Sequence, residues 1–111
     1  MAEMTACWVA YTTIDSKEKA AALANRLVKE KWVACATIVG PVESVYEWQG
    51  DIEHATEWML MMKCADEQLQ GLKKSVADWH DYAVPELIVL PVADGHAPYL
   101  DWVRASARGK A

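Results

Sequence analysis

The side chains best suited to hold a soft metal ion or to act as a nucleophile are a cysteine and a histidine. Cys35 lies between two alanines in an apolar segment, and His80 lies close to the end of a helical pattern. Copper(I) prefers sulfur ligands and copper(II) accepts imidazole, so this pair suits copper chemically. A cysteine also packs as a small hydrophobic residue, and a histidine can interact as a cation with a helix C-terminus. Metal binding and a structural role therefore both stay open for each residue.

Acidic side chains recur at even spacing in one strand-like segment. Glu53 and Glu57 lie four residues apart, which places both on one face of a strand. Such a row could collect hard divalent cations, or it could pair with Lys63 or with basic groups of a neighbouring subunit. Glu86 begins a later apolar segment, where it could hold a connector in place or line a cleft between subunits near His80.

Large aromatic side chains are a further group of candidate residues. Tyr46, Trp48 and Trp58 fall in two strand-like segments, and Trp102 lies near the C-terminus. Each offers a large apolar surface for packing between subunits, and stacking on a small-molecule ligand is the alternative use. We expect these residues at an interface or in a ligand cleft.

The sequence contains no recognisable catalytic motif. The glycine-rich, nucleophile-elbow and zinc-protease motifs do not occur, and the chain has five glycines in total. A Cys35–His80 dyad would need a third orienting group and an accessible thiolate in an electropositive setting. We therefore do not expect an enzyme; a pocket in which His80 and Glu86 converge without a metal would revive that hypothesis.

Composition excludes several other classes of protein. The chain has 111 residues and a net charge of −5, so it should repel nucleic acid. Its longest uncharged runs, 4–14 and 32–42, are shorter than the roughly 18 residues that cross a bilayer. No secretory signal is recognisable, and the three cysteines form no disulfide or zinc pattern. We expect one domain over 1–111, cytoplasmic, with no membrane or nucleic-acid partner.

Hydrophobic periodicity divides the chain into alternating strands and helices. The predicted elements are a strand at Met4–Thr13, a helix at Ser16–Lys31, a hairpin over 32–64, a helix from Asp66 to about His80, a strand at Glu86–Val92 and a closing helix from Pro98. Asp15 and Asp66 are expected to cap the first two helices, because short polar side chains accept hydrogen bonds from free helix amides. This order repeats one β-α-β unit and predicts an α+β, ferredoxin-like (split βαβ) sandwich with a long β-hairpin and a C-terminal helix.

The long hairpin predicts an oligomer. An extended strand over residues 32–48 would be roughly 50 Å long. A compact domain of this length has a radius of gyration of about 13 Å and is only about 34 Å across. Gly40-Pro41 indicates a bend, but Tyr46 and Trp48 near the tip would still leave a wet apolar patch. Trp58 and the methionines that follow it make the same argument for the second face of the sheet. We predict a closed homo-oligomer in which hairpins cover neighbouring subunits.

Several linked motifs in this sequence resemble the signature of the CutA divalent-cation tolerance proteins over nearly the whole chain. They are Ala34-Cys35-Ala36-Thr37-Ile38, Pro41-Val42-x-Ser44-x-Tyr46-x-Trp48-x-Gly50-x-Ile52-Glu53-x-x-x-Glu57, Lys63, His80-x-Tyr82-x-x-Pro85-Glu86-Leu87-Ile88 and Tyr99-Leu100-x-Trp102. The resemblance implies a ferredoxin-like subunit in a homotrimer, cytoplasmic in bacteria and associated with tolerance of copper and other divalent cations. The fold and trimer are also similar to those of the PII signalling proteins, so a small-ligand sensor or interaction scaffold is the alternative.

The resemblance carries over only part of a metal site. Metal-binding members use a cysteine that closes the first strand and two adjacent histidines; Tyr11 and Trp79-His80 occupy those positions here, so only His80 is retained. Asp81 could join a cation site or orient the imidazole. The expectation is weak binding of copper or another divalent cation by His80 with Cys35, not required for folding. The residues expected at clefts or interfaces are Tyr46, Trp48, Glu53, Glu57, Trp58, Lys63, Tyr82, Glu86 and Trp102.

Overall fold

The computed structural model describes residues 6–107, so the predicted beginning of the first strand at Met4 lies outside the described residues. The elements are β1 (Cys7–Ile14), α1 (Lys17–Lys29), β2 (Cys35–Trp48), β3 (Asp51–Ala65), α2 (Asp66–Trp79), β4 (Ile88–Pro91) and α3 (Ala97–Ala105). Within this range, none of the helices has the length and apolar character needed to cross a membrane.

The strands form one antiparallel sheet in the order β2-β3-β1-β4. β3 and β1 are central, and β2 and β4 lie at the edges. This arrangement confirms the predicted mixed α+β class and the repeated β-α-β order of elements. α1 and α2 cover one face of the sheet, which we call the helix side, and we call the opposite face the outer face.

Alternation along the central strands builds the core on the helix side. Leu60, Met62 and Cys64 of β3 are fully buried, and they pack with Leu27 of α1 and Leu72 of α2. Because successive strand residues point to opposite faces, these three side chains share one face of β3. Removing such side chains from water provides most of the driving force that holds helices against a sheet.

The outer face is also apolar but is only partly covered. Met59 and Met61 of β3 are half-buried there, and Ile88 and Leu90 of β4 are exposed. α3 covers one end of this face, where the thiol of Cys7 lies 3.8 Å from the carbonyl oxygen of Leu100. The predicted placement of Trp58 on the second face is wrong. Trp58 lies two residues before Leu60 in β3, so its side chain points to the helix side, where it packs against the core and over Gly40.

The hairpin protrudes, as the length of its strands predicts. The described chain has a radius of gyration of 15.1 Å and extents of 54 × 25 × 21 Å, against about 13 Å for a compact domain of this length. The predicted bend is confirmed, because the β2–β3 register shifts between Val39 and Val42, on either side of Gly40-Pro41. Gln49 and Gly50, with φ of 51° and 87°, form the turn.

Both predicted helix caps are wrong by one residue. Ser16, not Asp15, is the N-cap of α1: its backbone is extended and its hydroxyl accepts from the Lys19 amide at 3.0 Å. Ala65, not Asp66, precedes α2, and the Gln68 side chain accepts from the Ala65 amide at 2.9 Å.

Other element ends also differ from the prediction. α1 ends at Lys29 because Lys31 adopts a left-handed φ of 63°, which ends the helical path. β4 is shorter than predicted and covers Ile88–Pro91, since its pairing with β1 begins at Ile88 opposite Tyr11.

Candidate functional site

Most of the residues predicted to line a cleft converge at one cavity on the outer face, which we call the acidic cleft. It has a volume of ≈ 510 Å³. Its lining residues are Thr13, Tyr46, Trp48, Glu53, Ala55, Glu57, Tyr82, Val84 and Glu86. Three of them are carboxylates, three are aromatic and none is basic. This combination suits a cationic ligand.

Strand register brings the hairpin part of the cleft together. Tyr46 of β2 lies directly opposite Glu53 of β3, and Glu57 lies four residues farther along the same face of β3. The segment between α2 and β4 supplies Tyr82, Val84 and Glu86 from the other side. Val84 was not among the predicted site residues, and its 88% exposure indicates a rim position.

Glu57 is the most unusual residue of the cleft. The side chain is buried, with 7% of the residue exposed, and Oε2 accepts a 2.7 Å hydrogen bond from the hydroxyl of Tyr82. Burial, together with the hydrogen bond and charge of Glu57, raises the pKa of Tyr82 above its ordinary value, so the hydroxyl stays a donor. Among residues 6–107 Glu57 has no salt-bridge partner. A buried carboxylate without a counter-charge is costly, and a bound cation would offset that cost.

His80 lies behind the cleft and positions Tyr82. Its Nδ1 accepts from the backbone amide of Tyr82 at 3.1 Å, so the proton is on Nε2, which donates to the carbonyl oxygen of Thr13 at 2.8 Å. Asp81 Oδ1 lies 3.7 Å from Nδ1. Both ring nitrogens are therefore engaged by the backbone, and a metal would have to displace one of these contacts.

The structure does not bring Cys35 and His80 together. Cys35 lies opposite Lys63, which in turn pairs with Val9, whereas His80 binds Thr13. Thr13 lies four positions beyond Val9 on β1, a distance of about 13 Å along the strand. Within residues 6–107 no group of three or more His, Cys, Asp or Glu side chains could hold a metal ion.

Cys35 instead contacts the C-terminal helix. Its sulfur lies 3.4 Å from the hydroxyl of Tyr99, and this contact, followed by burial, raises the pKa of Tyr99 to about 12. Trp102 stacks on Tyr99 with ring centroids 5.8 Å apart. Trp102 and Lys63 are therefore on or near the outer face but do not line the acidic cleft.

The fold and the cleft define a small α+β sandwich protein with an acidic, aromatic-walled cavity. The family model of the CutA1 divalent ion tolerance protein matches residues 8–106. The divalent-cation tolerance protein CutA of Thermus thermophilus is 40% identical over 96 residues, which are 86% of this chain and 93% of that protein. This chain belongs to the CutA1 divalent ion tolerance family, and the resemblance found in the sequence is confirmed.

Solved structures and a further sequence relative agree with this assignment. The crystal structure of CutA1 from Oryza sativa has a TM-score of 0.90 and 37% identity, covering 95% of this chain and 96% of that one. A chloroplastic protein CutA of Arabidopsis thaliana is 41% identical over 90% of this chain, which spans 55% of that relative's length. A structure from Archaeoglobus fulgidus, 31% identical with a TM-score of 0.87, is named periplasmic and covers 92% of this chain and 99% of that one. Relatives thus carry different compartment names.

Proposed function

We propose that this chain is a non-catalytic, cytoplasmic divalent-cation tolerance protein that binds divalent cations weakly in the acidic cleft as part of a homotrimer. The observation that carries the proposal is Glu57, a buried carboxylate whose hydrogen-bond partner is the neutral Tyr82 hydroxyl rather than a cation. Glu53 and Glu86 line the same cavity.

The chemistry of the cleft favours hard cations. Carboxylate oxygens are the ligands that magnesium and calcium prefer, and magnesium keeps several of its waters when it binds. The carboxylates in the described part of one subunit do not form a three-ligand cluster, so a largely hydrated ion held by few direct contacts is expected, and its affinity is weak. Copper held by His80 with Cys35 has less support, because His80 would have to release Tyr82 or Thr13.

The outer face supports self-association. Met59, Met61, Ile88 and Leu90 make a half-covered apolar surface beside the protruding hairpin, and monomeric proteins rarely expose such surfaces. Further copies of the chain would cover it and would border the acidic cleft. The number of three copies follows the family resemblance.

Calorimetric titration with magnesium, manganese and copper(II) tests the cation site. Glu57→Gln removes the charge but keeps the hydrogen-bond acceptor, and we expect it to weaken magnesium and manganese binding about tenfold or more. Glu47→Gln is the matched control, because Glu47 lies on the opposite face of the hairpin. Unchanged binding in Glu57→Gln, with copper binding lost in His80→Gln, would move the site to His80.

An organic-cation sensor is the second candidate. Tyr46, Trp48 and Tyr82 wall the cavity, and aromatic faces attract ammonium groups when they are combined with a carboxylate. Thermal-shift titration with tetramethylammonium and with magnesium separates the two functions, because a ligand that binds the folded protein raises its melting temperature. A shift with tetramethylammonium that is absent in Trp48→Ala, together with no shift for magnesium, would favour the sensor.

A further inference from the structure

A second cavity lies on the helix side, between α1 and the end of α2, and we call it the helix-side pocket. It has a volume of ≈ 230 Å³. Its lining residues are Ile14, Lys19, Ala22, Leu23, Arg26, Trp79 and Asp81. The acidic cleft opens on the other face of the sheet, so copies that cover the outer face would leave this pocket accessible.

The floor of the helix-side pocket is apolar and preformed. Ile14 and Leu23 are 3% and 5% exposed and belong to the core. Ala22 comes from the exposed side of α1, and the half-buried ring of Trp79 forms a wall. An apolar cavity lined by such groups favours the apolar body of a ligand over water.

Two of the three charged groups at the rim already neutralise each other. Nζ of Lys19 lies 3.0 Å from Oδ1 of Asp15 and 2.5 Å from Oδ2 of Asp81. The hydrogen bond to Asp81 is the main cause that raises the pKa of Lys19, and the same bond lowers the pKa of Asp81. Both groups are therefore charged at neutral pH and paired.

Arg26 carries the remaining rim charge. Its guanidinium carbon lies 3.7 Å from the centroid of the Trp79 ring, and among residues 6–107 it has no carboxylate partner. Stacking on the ring holds the plane of the guanidinium and leaves its N–H edge available. That edge matches the two oxygens of a carboxylate.

We propose that the helix-side pocket binds a small aromatic monocarboxylate, with its ring on the apolar floor and its carboxylate against Arg26. The cavity is smaller than the roughly 300 Å³ at which pockets for drug-sized ligands begin, so a single ring is the size it accepts. Asp81 at the rim disfavours a second carboxylate. This inference is independent of the proposed cation function.

Benzoate and its neutral analogue benzamide test the proposal by saturation-transfer NMR and calorimetry on the full chain. We expect benzoate to bind and benzamide to bind at least about tenfold more weakly, because only benzoate pairs with Arg26. Arg26→Gln should weaken benzoate binding about tenfold. Lys17→Gln, an equal loss of charge at an exposed α1 position outside the pocket, should leave it unchanged.

A second variant guards against a structural effect of losing the Arg26–Trp79 stack. Ala22→Leu fills the cavity from an exposed helix position, so it should fold normally and abolish benzoate binding. The proposal is overturned by equal affinity for benzoate and benzamide, by unchanged binding in Ala22→Leu, by an equal loss in Lys17→Gln, or by no benzoate binding up to about 10 mM.

Discussion

Tyr82 and Glu57 join the connector that follows α2 to the centre of β3, through a 2.7 Å hydrogen bond from hydroxyl to carboxylate. The backbone amide of Tyr82 is held at the same time by Nδ1 of His80. Tyr82 therefore anchors the connector twice, through its side-chain hydroxyl and through its backbone amide. The wall of the acidic cleft depends on both contacts.

Removing the Tyr82 hydroxyl should destabilise the protein. Tyr82→Phe leaves the buried Glu57 carboxylate without its hydrogen-bond donor, and we expect the free energy of unfolding to fall by about 1.5–3 kcal/mol. Urea unfolding at fixed protein concentration measures the change. Tyr46→Phe is the control, since within the described chain the Tyr46 hydroxyl makes no hydrogen bond. Equal losses in the two variants would contradict the role of the Tyr82–Glu57 contact.

Packing at Gly71 should override helix propensity. A Cβ at this position of α2 would lie 2.0 Å from Cζ3 of Trp32, and overpacking of this kind costs about 1–3 kcal/mol. The intrinsic gain from glycine to alanine in a helix is about 1 kcal/mol. Gly71→Ala should therefore lower the melting temperature, whereas Gln70→Ala, at an exposed neighbouring position, should not. A stabilised Gly71→Ala variant would show that Trp32 moves aside freely.

Stability should decline at alkaline pH through Cys64. Burial, with smaller contributions from Cys7 and Asp66, raises the pKa of its thiol from 9.0 to about 12. The folded state thus holds this proton more tightly than the unfolded state. The associated stability is complete below pH 9 and is lost as the pH rises toward 12.

Replacement of Cys64 tests this linkage. Between pH 8 and pH 10.5, Cys64→Ala should lose about 2 kcal/mol less unfolding free energy than the wild type. Val76→Ala, a core truncation without a thiol, should show the full wild-type loss. Unfolding curves under reducing conditions give both values, and identical pH dependence in all three proteins would exclude the thiol as the source.

A charge on the outer face should prevent self-association. Met61 is half-buried between Tyr11 and Thr37 of the neighbouring strands, and Met61→Lys would place an ammonium group inside the proposed interface. Light scattering should give the mass of three chains for the wild type and a smaller mass for Met61→Lys. Ala77→Lys, on the exposed side of α2, should keep the wild-type mass. A monomeric wild type at micromolar concentration would refute the trimer.

The order of the elements could be predicted because it depends on local patterns. The apolar, β-forming residues of β1 and the three- and four-residue spacing in α1 are visible in the sequence. The caps were wrong because Asp15 and Ser16 are both good capping residues, and the backbone angles decide between neighbours. The face of Trp58 was predicted wrongly because a run of consecutive apolar residues does not show which of them point to which face of the sheet. The register of β3 shows it.

The site was predictable in part for the same reason. Glu53 and Glu57 share a face by simple alternation, and Tyr46 joins them once the hairpin turn fixes the register. The partners of His80 could not be predicted. Its contact with Thr13 spans 67 positions of the chain, and its contact with the Tyr82 amide depends on the path of the connector.

The edge position of β2 leaves backbone groups open to pairing with another strand. β2 pairs with β3 on one side, and within the described chain its other side has no strand beside it. Pro41, which lacks an amide hydrogen, splits that open row of backbone groups in two. Each half is still long enough to recruit a foreign strand. For the proposed homotrimer, slow assembly would therefore lengthen the time in which this open edge can pair with a strand of another chain and start aggregation.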